Sequence, residues 1–152
     1  VWQTGTPYFK QASEAVSRLD YMECKVHEFV TKMDYAYAVA DLVVARAGAI
    51  SVSELCLVQK PAILIPLPTA AEDHQTHNAR ALTDNGAAVL VRDDKAAEEL
   101  GKTVLSLITD PAALERLRNA IAAMGTTNAA ESIAADVIRL AHSNLNATPE
   151  RA

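Results

Sequence analysis

The sequence predicts an α/β fold: an open, doubly wound parallel sheet flanked by helices. Three observations carry this expectation. Apolar runs at 42–45 (LVVA), 62–65 (AILI) and 87–91 (AAVLV) are too short for helices and, bounded by breakers, read as buried strands. Segments of helical periodicity separate them, so strands and helices alternate along the chain. Between the first two runs lie Gly48, a Ser51-x-x-Glu54 capping pattern and Lys60-Pro61, which divide the stretch into strand, turn, short helix and strand. Such a βαβ crossover is right-handed in nearly all cases and makes the two strands parallel.

Composition bounds the rest. The 152 residues suffice for one domain with a sizeable core, expected over 1–142, followed by a polar, frayed tail over 143–152. Half the residues are hydrophobic but only 5% are aromatic, which suits Ala/Leu/Val-rich packing of helices on a sheet. A net charge of -5 leaves no extended basic footprint for nucleic acid. Cys24 and Cys56 fall in an expected strand and helix and read as reduced core thiols of a cytosolic protein. No apolar run approaches the roughly 18 residues of a membrane-spanning helix, and no basic, apolar leader opens the chain. A start without Met, inside what reads as a strand, suggests a piece of a longer protein.

Taken in order, residues 1–3 read as the end of a strand, and Gly5 and Pro7 turn the chain out of it. Phe9, Ala12, Val16 and Leu19 give helical spacing over 8–19. Residues 21–27 alternate enough for a strand, with Phe29 and Val30 in the loop beyond. Thr31-x-x-Asp34 is expected to cap a helix through Met33, Tyr35, Tyr37 and Val39. The strand at 42–45 is expected to be buried on both faces. The helix after it should open at Ser51 and stop at Lys60-Pro61, and the strand at 62–65 ends at Pro66. A helix over 73–85 closes at Gly86, and the strand at 87–91 leads into a helix starting at Asp93-Asp94. Asp110 and Pro111 predict an N-cap and a first helical residue. A last helix, about 128–142, is expected to be buried through Ile133, Val137, Ile138 and Ala141.

In parallel α/β sheets, ligands gather at the carboxyl ends of the strands beside helix N-termini. Here that edge carries Arg46, Gly48, Ala49, Ser51 and Glu54 after one strand, and Thr69, Glu72, Asp73, His74, Gln75 and Asn78 after the next. The amides opening the first helix are suited to a phosphate. Glu54, further along, can accept from ribose or sugar hydroxyls. Each has a plainer reading: Glu54 as half of a capping box with Ser51, Gly48 as relief for a tight turn, Arg46 as a solvated charge, Phe29, Val30 and Met33 as core. The His74-x-x-His77 pair lacks a third or fourth ligand, so no metal site is expected.

Three ordered motifs in this region, R-x-G-A-x-[ST]-x-x-E over 46–54, K-P-x-I-L-I-P-x-P over 60–68 and D-H-Q-x-x-N-A over 73–79, resemble the MurG family. Its members are the UDP-N-acetylglucosamine:undecaprenyl-pyrophosphoryl-muramoyl-pentapeptide GlcNAc transferases of peptidoglycan synthesis. The resemblance runs from Val1 to about Ala141 and corresponds to the donor-binding, C-terminal half of a GT-B glycosyltransferase, a Rossmann-like domain. It implies that Glu54 grips the ribose hydroxyls of UDP-GlcNAc and that the amides of Ala49, Ile50 and Ser51 beside Gly48 hold the diphosphate. Arg46 either neutralises the pyrophosphate or steadies the Gly48 turn. Phe29, Val30 and Met33 bracket the uracil, with the Val30 backbone reading its polar edge. Gln75 and Asn78 contact the GlcNAc ring; His74, variable in the family, is less firmly placed.

The resemblance further implies no cofactor, no metal-binding D-x-D motif and no catalytic residue in this segment. The general base and the membrane contact belong to an N-terminal acceptor domain, at the cytoplasmic face of the bacterial inner membrane. In the family, a central strand and a glycine-rich loop precede Trp2-Gln3-Thr4-Gly5, so the donor site here is expected to be incomplete. Two other classes stay open: a free-standing donor-binding subunit needing a partner chain, and another sugar-nucleotide enzyme such as a UDP-GlcNAc 2-epimerase.

Overall fold

A computed structural model describes residues 1–19 and 23–146, with the side chains of Ala71 and 144–146 excepted. Its centre is strand β4 (Ala62–Leu64), every residue of which is buried. Strands β3 (Val43–Ala45) and β5 (Val89–Leu90) flank it, both parallel to it, in the order β3-β4-β5. The ladder runs past the strand ends, since Ile65 N donates to Ala45 O and Val91 N to Leu64 O. Alternation along β4 then builds two cores. Ala62 and Leu64 face Leu55, Cys56, Ala79, Leu82 and Ile121, whereas Ile63 and Ile65 face Val91, Leu107 and Leu117. Helices therefore cover both faces of the sheet.

Two further strands, β1 (Trp2–Gln3) and β2 (Val26–His27), pair with each other, again in parallel. Among the described residues the five strands thus form two ladders rather than one sheet. The ladder bonds say which edges are open. Trp2 N and Thr4 N donate to Lys25 O and His27 O, so the backbone of Gln3 faces away from β2. Val43 N donates to Pro61 O, so the backbone of Val44 likewise faces away from β4. This corrects the expectation that the 42–45 strand is buried on both faces: Val44 is 43% exposed because β3 is an edge.

The helices are α1 (Thr6–Ser17), α2 (Met33–Val39), α3 (Ala49–Val58), α4 (His74–Thr83), α5 (Ala96–Ile108), α6 (Pro111–Ala122) and α7 (Ala129–Asn146). Asp110 caps α6 as expected, accepting from Ala113 N, with Pro111 at its start. The two S/T-x-x-D/E capping patterns do not operate. Helix α2 follows Lys32 and α3 follows Gly48, neither with a side-chain cap. Ser51 lies inside α3, and the Glu54 carboxylate is engaged by Tyr37 instead. Helix α7 runs past its expected end near His142, and it is not buried: Ile133, Val137 and Ile138 are 58–65% exposed. Their spacing does make an apolar stripe, but periodicity does not reveal whether a chain contains the surface that covers it. Among the described residues no helix is long and apolar enough to cross a membrane. The expected strand at 21–27 lies partly outside the described residues; so does the tail beyond Asn146.

Candidate functional site

The site begins where β3 ends. Gly48 takes the N-cap position of α3 at φ -64° and ψ 146°, extended backbone open to any residue, so no tight turn requires a glycine there. What glycine leaves is space: a Cβ would meet only Ser51 Oγ, at 3.9 Å. The first helical bond runs from Val52 N to Gly48 O at 2.9 Å. The amides of Ala49, Ile50 and Ser51 precede it, and no cap side chain accepts from them. Three uncapped donors at the positive end of a helix, next to a residue without a Cβ, make an anion-binding arrangement.

Helix α4 is fastened to this turn. Asn78 Nδ2 donates to Ala47 O at 3.1 Å, so the start of α4 and the start of α3 share one edge of the sheet. Gln75 Oε1 accepts from Leu67 N at 2.9 Å and holds the loop after β4. Glu72 and Asp73, just before the helix, both adopt positive φ (49° and 56°), a conformation costly for residues other than glycine. His74 is exposed, 3.5 Å from the Glu72 carboxylate. No cluster of three or more metal-ligating side chains occurs among the described residues.

Arg46 is a strut. Its Nη1 donates to Ile65 O at 3.3 Å and pairs with the Asp93 carboxylate, joining the carboxyl ends of β3 and β4 to the turn after β5. In the sequence Asp93 reads only as a helix start. Beyond it, a hollow of about 550 Å³ between α4 and that turn is lined by Thr76, Arg80, Arg92 and Asp94 among others. Asp73, at the expected sheet edge, lines it too, but none of the residues expected to contact UDP-GlcNAc does.

Between α2 and α3 lies a smaller pocket, about 210 Å³, lined by Met33, Asp34, Tyr37, Glu54, Leu57 and Val58. It brings together Met33 and Glu54, expected at the base and the ribose. Tyr37 Oη donates to Glu54 Oε2 at 3.1 Å. Burial, then the bond and charge of Glu54, push the Tyr37 hydroxyl up to about 12. The sequence carried a usable sign of Tyr37, because it stands four residues after Met33 and so shares its helix face. Phe29 is 71% exposed, which removes it from the core. Val30 N donates to Gln3 Oε1 at 2.8 Å, so Gln3, unremarked in the sequence, holds the loop. Neither Phe29 nor Val30 lines the pocket.

Comparison with known proteins bears on the family and the fold. The UDP-N-acetylglucosamine--N-acetylmuramyl-(pentapeptide) pyrophosphoryl-undecaprenol N-acetylglucosamine transferase of Porphyromonas gingivalis is 50% identical over 140 residues, 92% of this chain and 37% of that protein. The protein of the same description from Bacteroides thetaiotaomicron is 44% identical over 142 residues, 93% and 38% of the two chains. The chain thus spans well under half the length of these relatives. The crystal structure of Acinetobacter baumannii MurG superposes with a TM-score of 0.77 at 29% identity, over 90% of this chain and 41% of that one. Residues 1–136 match the glycosyltransferase family 28 C-terminal domain, and the chain belongs to that family.

Proposed function

We propose that this chain is the donor-binding domain of an inverting hexosyltransferase that moves GlcNAc from UDP-GlcNAc to the C4 hydroxyl of undecaprenyl-pyrophosphoryl-muramoyl-pentapeptide. The observation that carries the proposal is the row of uncapped amides at Ala49, Ile50 and Ser51, opening beside Gly48 and flanked by Glu54 and Asn78. The diphosphate sits on those amides. As the glycosidic bond breaks, negative charge builds on the departing UDP, and the fixed N–H dipoles stabilise it without reorganising. Glu54 accepts from the ribose, and the loop of Phe29 and Val30 with Met33 holds the uracil. For the base to be read by the Val30 amide, that N–H must exchange its Gln3 partner for the ligand; otherwise the carbonyl serves. Gln75 and Asn78, already tied to Leu67 and Ala47, present their remaining amide groups to the sugar from fixed positions.

On this reading residues 1–142 are one domain, and an N-terminal acceptor domain supplies the general base and the peripheral contact with the inner membrane at its cytoplasmic face. The open edges of β1 and β3 suit a further parallel strand between them, carrying the glycine-rich loop that completes the diphosphate site. The test compares transfer to lipid-linked acceptor by the native-length protein and by residues 1–152 alone. Turnover with UDP-GlcNAc, weaker with UDP-glucose, is expected of the first and none of the second. Transfer by the isolated chain, or none by the native-length protein, would refute the proposal.

A further inference from the structure

We infer that Tyr37 is a positioning residue that holds the Glu54 carboxylate in place to receive the ribose of the nucleotide. The inference rests on the ribose role proposed for Glu54. Glu54 is exposed, and an exposed glutamate has three side-chain torsions free to wander. A carboxylate left mobile must be ordered each time a ligand arrives, which lowers affinity. Tyr37 removes much of that freedom. Its ring packs against the core beneath α3, so the hydroxyl projects from a fixed base with only two torsions. The hydroxyl donates to Oε2 at 3.1 Å and leaves Oε1 unengaged by any described residue, in a pocket that Met33 also lines. As a phenol, Tyr37 is a donor throughout the neutral range, and burial with the charge of Glu54 moves its ionisation further away from it. It does not itself reach the ligand; its contribution passes through Glu54.

The test is equilibrium binding of UDP and of 2′,3′-dideoxy-UDP to the native-length protein, by calorimetry, for wild type, Tyr37→Phe, Glu54→Ala, Glu54→Asp and the Tyr37→Phe/Glu54→Ala pair. The readout is the preference for UDP over the dideoxy analogue, which a merely structural role would not move. Wild type is expected to prefer UDP by roughly tenfold or more, the worth of hydrogen bonds to a charged acceptor. Tyr37→Phe should cut that preference by about threefold to tenfold while leaving the analogue's affinity unchanged. Glu54→Ala should abolish it, with nothing further lost in the pair. Glu54→Asp, whose carboxylate draws back from Tyr37, should behave like Tyr37→Phe and serves if that variant does not fold. If Glu54→Ala keeps the preference, the ribose role of Glu54 is wrong and this inference falls with it. If Glu54→Ala abolishes the preference but Tyr37→Phe and Glu54→Asp retain it, or if Tyr37→Phe weakens both ligands equally, the ribose role stands and the positioning role is overturned.

Discussion

Two glycines in this chain should respond to the same substitution with opposite signs. Gly125 follows α6 and lies against the back of α3. A Cβ built there comes to 2.9 Å from the carbonyl oxygen of Cys56 and 3.4 Å from its carbon, both backbone atoms inside a helix. Nothing flexible can move aside, so Gly125→Ala must push α6 off α3. Overpacking of this kind costs about 1–3 kcal/mol, from which the stiffer unfolded chain returns about 0.4–1 kcal/mol. At the middle of these ranges the net cost is about 1.3 kcal/mol, and at about 2–4 °C per kcal/mol for a chain of this size the melting temperature should drop by roughly 3–5 °C. Gly101 is the control. It sits mid-way along α5, exposed, with no atom within 4 Å of its added Cβ. Gly101→Ala should therefore stabilise by about 0.5–1 kcal/mol through helix propensity alone. Urea and thermal unfolding followed by circular dichroism would measure both. Stability changes of the same sign, or a Gly125→Ala variant within about 0.3 kcal/mol of wild type, would refute the close packing of α6 on α3.

Tyr37 makes a pH prediction. Burial and Glu54 push its hydroxyl from 10.0 up to about 12, so the neutral form favours the folded state. That contribution is complete below pH 10 and is lost as pH rises through 12; Tyr37→Phe should flatten this alkaline loss of stability, read by urea midpoints across the interval. Lys60 offers another. Its Nζ donates to Ala38 O at 3.2 Å and Ala40 O at 2.9 Å, closing the carboxyl end of α2. Lys60→Met should cost about 1–2 kcal/mol and leave α2 the first helix to lose amide protection in hydrogen exchange.

What could be read from the sequence follows from what each signal depends on. Strand β4 was legible because a central strand is apolar at every position, and Asp110-Pro111 because cap and first residue act locally. The Ser51-x-x-Glu54 pattern misled, since the same four residues fit a cap or the second turn of a helix begun at Ala49. Only tertiary contact decided between them: Tyr37 takes the carboxylate that the capping box needed. Burial of β3 and α7 could not be read, because apolar spacing marks a face without saying what packs on it. Gly48 and Asn78 lie close together because ladder register and the Asn78–Ala47 bond put them there. The ties made by Gln3, Tyr37 and Asp93 bridge 17 to 47 residues of sequence, beyond any local pattern.

The most direct measurement is amide chemical-shift mapping during a titration of the native-length protein with UDP. Ala49, Ile50 and Ser51 are expected to move most, in step with Val30 and Glu54, while Thr76, Arg80 and Arg92 around the larger hollow stay still. Shifts centred on that hollow, with 49–51 unmoved, would contradict the account.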